Sequence, residues 1–289
     1  MLPQFLALGA SLSFGFLIVF VQLGLNAGGT PLASTILNLV VNTLFLWVFL
    51  IVWGDLGQVL NTGVWVFLLI GAFVPGLARY SYFHGAQRIG ASRSATLKSL
   101  SPLFSVLIAI SAFGERLTPF TAVGTALIVA GILLVSSKRG AQETWPKVYL
   151  IFPLITALLF ALRDNLARFG FNLVASPLVG AAMAATGGFL SLLLISRVQG
   201  SAGQLHMQHR SSLYFAASGV FGGIAYICLF TALSTGRVVT VAPLLYADPL
   251  LVPVISYILL RGSEPLSWRL ALGAVCVVSG ITFIFQARV

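Results

Sequence analysis

Six side chains carry a full charge within long apolar runs: Arg79, Lys98, Arg163, Asp164, Arg168 and Asp248. If those runs cross a bilayer, each charge near a helix centre costs about 2.5–3.5 kcal/mol on insertion scales. Such groups are therefore expected to face an internal cavity or one another. Lys98 lies one turn before Pro102 and Asp248 directly before Pro249. A proline deletes a backbone hydrogen bond and kinks a helix, which frees a carbonyl toward a cavity. An amine and a carboxylate on two such helices could pair when the cavity is empty and take the two ends of a zwitterion when it is filled. A permanent structural salt bridge is the alternative. Arg163, Asp164 and Asn165 add a polar cluster in which Asp164 or Arg163 is a candidate for touching a solute or a coupling proton. Asp164 and Arg168, one turn apart, could instead form an intrahelical pair, and Arg168 could snorkel. Arg79 with Tyr80, and the deeply placed Tyr226 and Tyr246, complete the candidate binding residues, offering hydroxyl donors in a partly apolar pocket.

The elements that must hold these groups are long and apolar. Of 289 residues, 58% are hydrophobic and only 8% charged, against about 25% charged in an ordinary soluble domain, and the mean hydropathy is +1.03. That excludes a soluble enzyme and a disordered chain. The net charge of +10 is scattered between apolar runs rather than clustered, so nucleic acid is not an expected partner. About 20 helical residues cross a hydrocarbon core. On that measure the chain is an all-α integral membrane protein with ten transmembrane helices, near 3–27, 31–53, 63–86, 91–113, 117–137, 147–171, 176–196, 211–234, 238–260 and 266–286. The first lacks the basic flank of a signal peptide and has a counterpart in mid-chain, so it is expected to be retained.

The two halves repeat. Phe14, Gly24, Asn26 and Pro31 recur at a shift of 146 as Phe160, Gly170, Asn172 and Pro177, and Tyr80, Ala86 and Gly90 as Tyr226, Ala232 and Gly236. Ser101-Pro102 meets Asp248-Pro249, and Glu115, Gly124 and Gly131 meet Glu264, Gly273 and Gly280. Residues 1–140 and 141–289 are thus expected to form two five-helix units. Five is odd, so the second copy is inverted in the bilayer, which predicts a midplane site and alternating access. Asp164 and Asn165 fall opposite Ile18 and Val19, so the polar cluster belongs to one copy only.

The stretch Ala91–Pro102 (ASRSATLKSLSP), followed by Gly114–Pro119 (GERLTP) and the Gly124/Gly131 helix, resembles the end of an EamA unit. It returns more loosely as Ala242–Pro249 (APLLYADP), Gly262-Ser-Glu264 and Gly273/Gly280. The resemblance to the EamA-like branch of the drug/metabolite transporter superfamily covers the whole chain. It implies a central cavity lined by helices 1, 3, 4, 6, 8 and 9, supported by helices 5 and 10, and it names no substrate. The chain departs from the family in the loop after the second span, which carries Asp55 and no basic residue. Nine basic residues fall on one side (Arg88, Arg93, Lys138, Arg139, Lys147, Arg197, Arg210, Arg261, Arg269) and three on the other (Arg116, Arg237, Arg288). The charge rule puts both termini outside the cytoplasm; the resemblance puts them inside.

The remaining motifs read as structural. Glu115 and Glu264, followed by Thr118-Pro119 and by Pro265, look like cap chemistry. Trp47, Trp53, Trp145 and Trp268 sit near span ends, as an interfacial belt does. Ala122, Ala126 and Ala130, and Gly219 with Gly223, allow close helix packing, with a dimer face a minor alternative. His206 and His209 lack a third ligand for a metal, His84 is read as interfacial, and no cofactor is expected. No phosphate-binding GxxxxGK[ST] loop occurs, which excludes ATP-driven pumping by this chain alone. The expectation is a multi-pass secondary transporter of the plasma or inner cell membrane, a monomer or weak dimer, exporting a small polar metabolite. An amino acid or related carboxylate fits four basic against two acidic intramembrane residues, with a proton as the coupling ion. A multidrug or organic-cation proton antiporter would want an accessible acid and an aromatic cage, and a membrane-embedded enzyme would want a catalytic constellation near one interface.

Overall fold

A backbone surrounded by hydrocarbon must satisfy its own N–H and C=O groups, and long apolar runs do so as helices. The computed structural model describes residues 1–89, 94, 97–136, 146–198, 208–259 and 268–286. Its helices are α1 (Leu2–Asn26), α2 (Pro31–Trp53), α3 (Val64–Ala72), α4 (Arg79–Ile89), α5 (Ser101–Phe113), α6 (Pro119–Ser136), α7 (Ile151–Gly170), α8 (Pro177–Val198), α9 (His209–Thr235), α10 (Val238–Leu245), α11 (Asp248–Leu259) and α12 (Trp268–Gln286). Six described segments are long and apolar enough to cross a bilayer: Leu2–Asn26, Pro31–Trp53, Lys147–Gly170, Pro177–Leu194, His209–Thr235 and Val238–Leu259. Ser101–Phe113, Pro119–Leu134 and Ala271–Gln286 are apolar but shorter.

Local sequence explains several boundaries. Thr30 caps α2 by accepting from the Ala33 amide at 3.3 Å, with Pro31 at the first helical position. α5 stops at Gly114, whose φ of 63° is left-handed, the usual end for a helix.

Three expected spans are interrupted. Between α3 and α4 the chain makes a widened π-type turn over Phe73–Ala78, around Pro75. α5 starts at Ser101 after a turn at Ser99–Leu100, with Pro102 in its first turn. The span expected over 238–260 breaks at Tyr246–Ala247 into α10 and α11. This corrects the reading of Asp248 as a mid-helix residue before a kink: it is the first residue of α11, and Pro249 lies in that helix's first turn. The prolines have no amide hydrogen to give to the preceding turn, so the helix restarts instead of bending.

Packing between the halves is reciprocal. α9 packs on α1 and α2, and the α3–α4 limb packs on α7 and α8; α11 lies on α1, and α5 on α7. α2 meets α8, and α6 meets α12. In that last pair a methyl added at Gly124 would come within 2.6 Å of the Gly280 carbonyl, and one at Gly131 within 2.7 Å of the Gly273 carbonyl. The order of contacts makes the two helices antiparallel and their backbones close. α9 uses Gly219 the same way against the Asn38 carbonyl, and α3 uses Gly71 against the Ala184 carbonyl. The alanine stripe behaves differently from its expected packing role. Ala126 and Ala130 are exposed, while Gly124, Thr121, Thr125 and Ile128 are buried.

The outer surface carries Leu44, Val48, Ile51, Leu190, Leu194, Val275 and Val278, all exposed. Asn38, Asn42, Thr156, Arg163, Asp164 and Asn165 are buried inside. Apolar side chains outside and polar ones within suit a lipid solvent.

Candidate functional site

A cavity of about 260 Å³ lies where the interrupted helices meet. Lys98, just before the turn ahead of α5, and Asp248, at the start of α11, both line it. They come from equivalent breaks in the two halves. Breaks at matching positions of two repeats are where transporter folds place their binding groups. The Lys98 ammonium sits over two rings, with Nζ 5.0 Å from the Phe160 centroid and 5.7 Å from the Tyr82 centroid, a cation–π arrangement. Phe14 of α1, Val74 of the widened turn and Tyr226 of α9 supply apolar and aromatic wall.

Arg163 of α7 reaches the cavity but is held from behind. Its Nε donates to Asp164 Oδ1 at 2.9 Å, and its Nη2 lies 2.8 Å from the same oxygen. Asp164 Oδ2 accepts from Ser105 Oγ of α5 at 2.9 Å and from the Tyr246 hydroxyl at 2.8 Å. Arg163 Nη2 in turn donates to the Tyr246 hydroxyl at 3.4 Å. The carboxylate thus accepts three hydrogen bonds and is ion-paired, which is what a buried ion needs to persist. Asn165 donates to the backbone carbonyls of Ser105 at 3.1 Å and Ala161 at 2.9 Å. The cluster ties α7 to the start of α5 and to the break between α10 and α11.

The expected site residues therefore separate. Lys98, Arg163, Tyr226, Tyr246 and Asp248 line the cavity together. Asp164, fully buried, and Asn165 stand behind the wall and hold it in place. The backbone of Arg79 and Tyr80 opens α4, but their side chains lie outside the described residues. The intrahelical Asp164–Arg168 pair does not form as expected. Asp164 pairs with its neighbour Arg163, while Arg168 Nη1 donates to the Ser234 carbonyl at 2.9 Å near the C-terminus of α9, where a cation is favoured.

Polar cavity residues outside the expected site include Tyr82, Thr156, Asn38 and Asn42. The asparagines lie four apart on α2, a helix not among those expected to line the cavity. Two amides on one face of an uncharged apolar helix were the available signal.

Other motifs find structural uses. Glu115 is a cap, though for a distant helix: its carboxylate accepts from the amides of Val238 at 3.1 Å and Val239 at 2.9 Å, at the N-terminus of α10. Trp47 is no belt residue, since it is half-buried and donates to Thr186 Oγ1 at 3.0 Å. Trp53 and Trp268 are exposed near helix ends, as a belt requires. Trp145, His206 and Glu264 lie outside the described residues.

The model of the EamA-like transporter family matches residues 1–137 and again 147–286. The chain is 30% identical over 82 residues to the uncharacterized transporter YwfM of Bacillus subtilis (strain 168), a match spanning 28% of each protein. A solved crystal structure of another protein superposes over 95% of both chains with a TM-score of 0.76 at 18% identity, which shows a shared fold.

Proposed function

The chain belongs to the EamA-like transporter family, within the drug/metabolite transporter superfamily, and from that premise we propose that it is a secondary active exporter of a small polar metabolite. The solute is an amino acid or a related carboxylate, and the carrier is a multi-pass protein of the plasma or inner cell membrane. One observation carries this reading. Lys98 and Asp248, of opposite charge, line one cavity from equivalent helix breaks in the two halves. Such a pair matches the ammonium and carboxylate of a zwitterion. Arg163 adds a guanidinium already oriented by Asp164. Among the described residues Asp248 is the carboxylate on the cavity wall, and it is the proton carrier of this mechanism; Asp164 is engaged by Arg163, Ser105 and Tyr246.

Ten spans, an inverted relation of residues 1–140 to 141–289 and alternating access belong to the same proposal. The antiparallel α6–α12 contact supports the inversion, because Gly124 and Gly131 are the repeat-mates of Gly273 and Gly280 and each pair meets crosswise. Inverted halves that exchange conformations open one central site to either side in turn. A lipophilic cation fits less well: Phe160 and Tyr246, rings that would cage it, already face the Arg163 guanidinium at 5.1 and 5.9 Å.

The test is a melting-temperature screen of the purified protein against amino acids, dicarboxylates and tetraphenylphosphonium, on wild type and Asp248→Asn. A ligand at about 100 times its Kd adds roughly 2.7 kcal/mol of stability. Stabilisation by an amino acid or carboxylate, lost in Asp248→Asn, is expected. Stabilisation by tetraphenylphosphonium alone would overturn the assignment.

A further inference from the structure

One wall of the cavity is not explained by charge. α2 presents Asn38, Leu39 and Asn42 to it. Asn38 is engaged, its Nδ2 donating to Ser218 Oγ at 2.9 Å. Asn42 is only 3% exposed; its Oδ1, sealed from solvent, has no hydrogen-bond partner among the described residues, which leaves its Nδ2 as the polar atom toward the cavity. It lies beside Gly222 of α9, also on the cavity wall, where a methyl would come within 3.7 Å of the Asn42 amide carbon. A buried amide without a partner is costly, so either the scaffold requires it or something in the cavity satisfies it.

The repeat argues against the scaffold. The shift of 146 that carries Pro31 onto Pro177 carries Asn38 onto Ala184 and Asn42 onto Gly188. At the first of these positions the backbone does the same work in both halves: the Asn38 carbonyl receives Gly219 as the Ala184 carbonyl receives Gly71. The equivalent helix face in the second half carries alanine and glycine there, so close packing does not call for amide side chains.

We infer that Asn42 is a specificity-determining residue, a neutral hydrogen-bonding subsite whose amide N–H donates to an acceptor group of the solute other than its charged ends. The inference rests on the zwitterion reading above and narrows it. The favoured solutes are small amino acids whose side chain carries a hydroxyl or an amide carbonyl. A site built to hydrogen-bond a substrate group discriminates strongly against the analogue that lacks it, because its own polar atom is then left unpaired.

L-threonine and L-valine differ by a hydroxyl in place of a methyl and are the probes. Thermal shifts of the purified full chain are titrated with each, for wild type and for Asn42→Leu, which nearly preserves side-chain shape. Wild type is expected to bind threonine at least about tenfold more tightly than valine. In Asn42→Leu that preference disappears or reverses, and the ligand-free variant melts at or above wild type because an unpaired amide has been removed. Equal affinity of wild type for the two amino acids would overturn the subsite and leave the zwitterion reading standing. So would an unchanged preference in Asn42→Leu, or a ligand-free Asn42→Leu melting well below wild type, which would reveal a structural partner. Binding of neither amino acid to wild type would overturn the subsite, while the zwitterion reading is decided separately by the screen of other amino acids and dicarboxylates.

Discussion

Arg163 and Asp164 are adjacent in sequence, and neighbours on a helix ordinarily point about 100° apart. Here the guanidinium folds back on the carboxylate, and both meet Tyr246, 83 and 82 residues away respectively. Removing one member of such a buried pair leaves an uncompensated charge, whereas removing both can be nearly neutral. Asp164→Asn is therefore expected to destabilise by about 3–5 kcal/mol. The double variant Arg163→Met/Asp164→Leu should lose clearly less, as read by melting temperature in a double-mutant cycle. Equal losses from the single and double variants would show that Asp164 stabilises through Ser105 and Tyr246 alone. At this scale the sequence showed which residues were chemically unusual but not whom they would meet. Arg168 was the geometric partner expected for Asp164, yet it is drawn to the Ser234 carbonyl instead. A long flexible cation goes where an unsatisfied acceptor is, and that acceptor belongs to another helix.

The helices differ from simple spans mainly where proline acts. Pro75, Pro102 and Pro249 accompany the interruptions that open the cavity, and each is visible in the sequence. Their effect was misjudged at Pro249, because a helix that restarts and a helix that kinks share the same local residues. Packing between elements was legible from glycine more than alanine. Gly124 and Gly280 sit where two backbones nearly touch, while Ala126 and Ala130 face outward. Gly280→Leu should force α6 and α12 apart and cost about 1–3 kcal/mol or more, as overpacking does. Ala130→Leu should leave the melting temperature within about 0.5 kcal/mol equivalent of wild type, as surface changes do. The reverse ranking would mean that the alanine stripe, and not the glycines, forms the contact.

Among the described residues the outer surface is apolar, and charged and amide side chains such as Arg163, Asp164, Asn38 and Asn42 are buried. Val48 is 58% exposed on α2, on a surface that water would not tolerate and lipid would. Val48→Lys is expected to cost about 2.5–3.5 kcal/mol of insertion free energy, seen as reduced yield in the membrane fraction. An unchanged yield and melting temperature would place that face against water or protein instead. The reciprocal contacts of the two halves carry the transport proposal at this scale, since two similar units packed crosswise have two equivalent ways to sit around one cavity.

Composition and the presence of long apolar helices were readable from sequence alone, because hydropathy and periodicity are local and accumulate along the chain. The same holds for the family, and for Lys98 and Asp248 as residues of interest, since a charge within an apolar run demands an explanation wherever it occurs. Only the tertiary structure decided that Asp164 stands behind the wall and Arg163 on it, that Glu115 caps α10 across 123 residues, and that α2 brings Asn42 to the cavity. Those outcomes depend on which helices meet and where they break. A cavity is made by several distant segments at once, so no single window of sequence contains it.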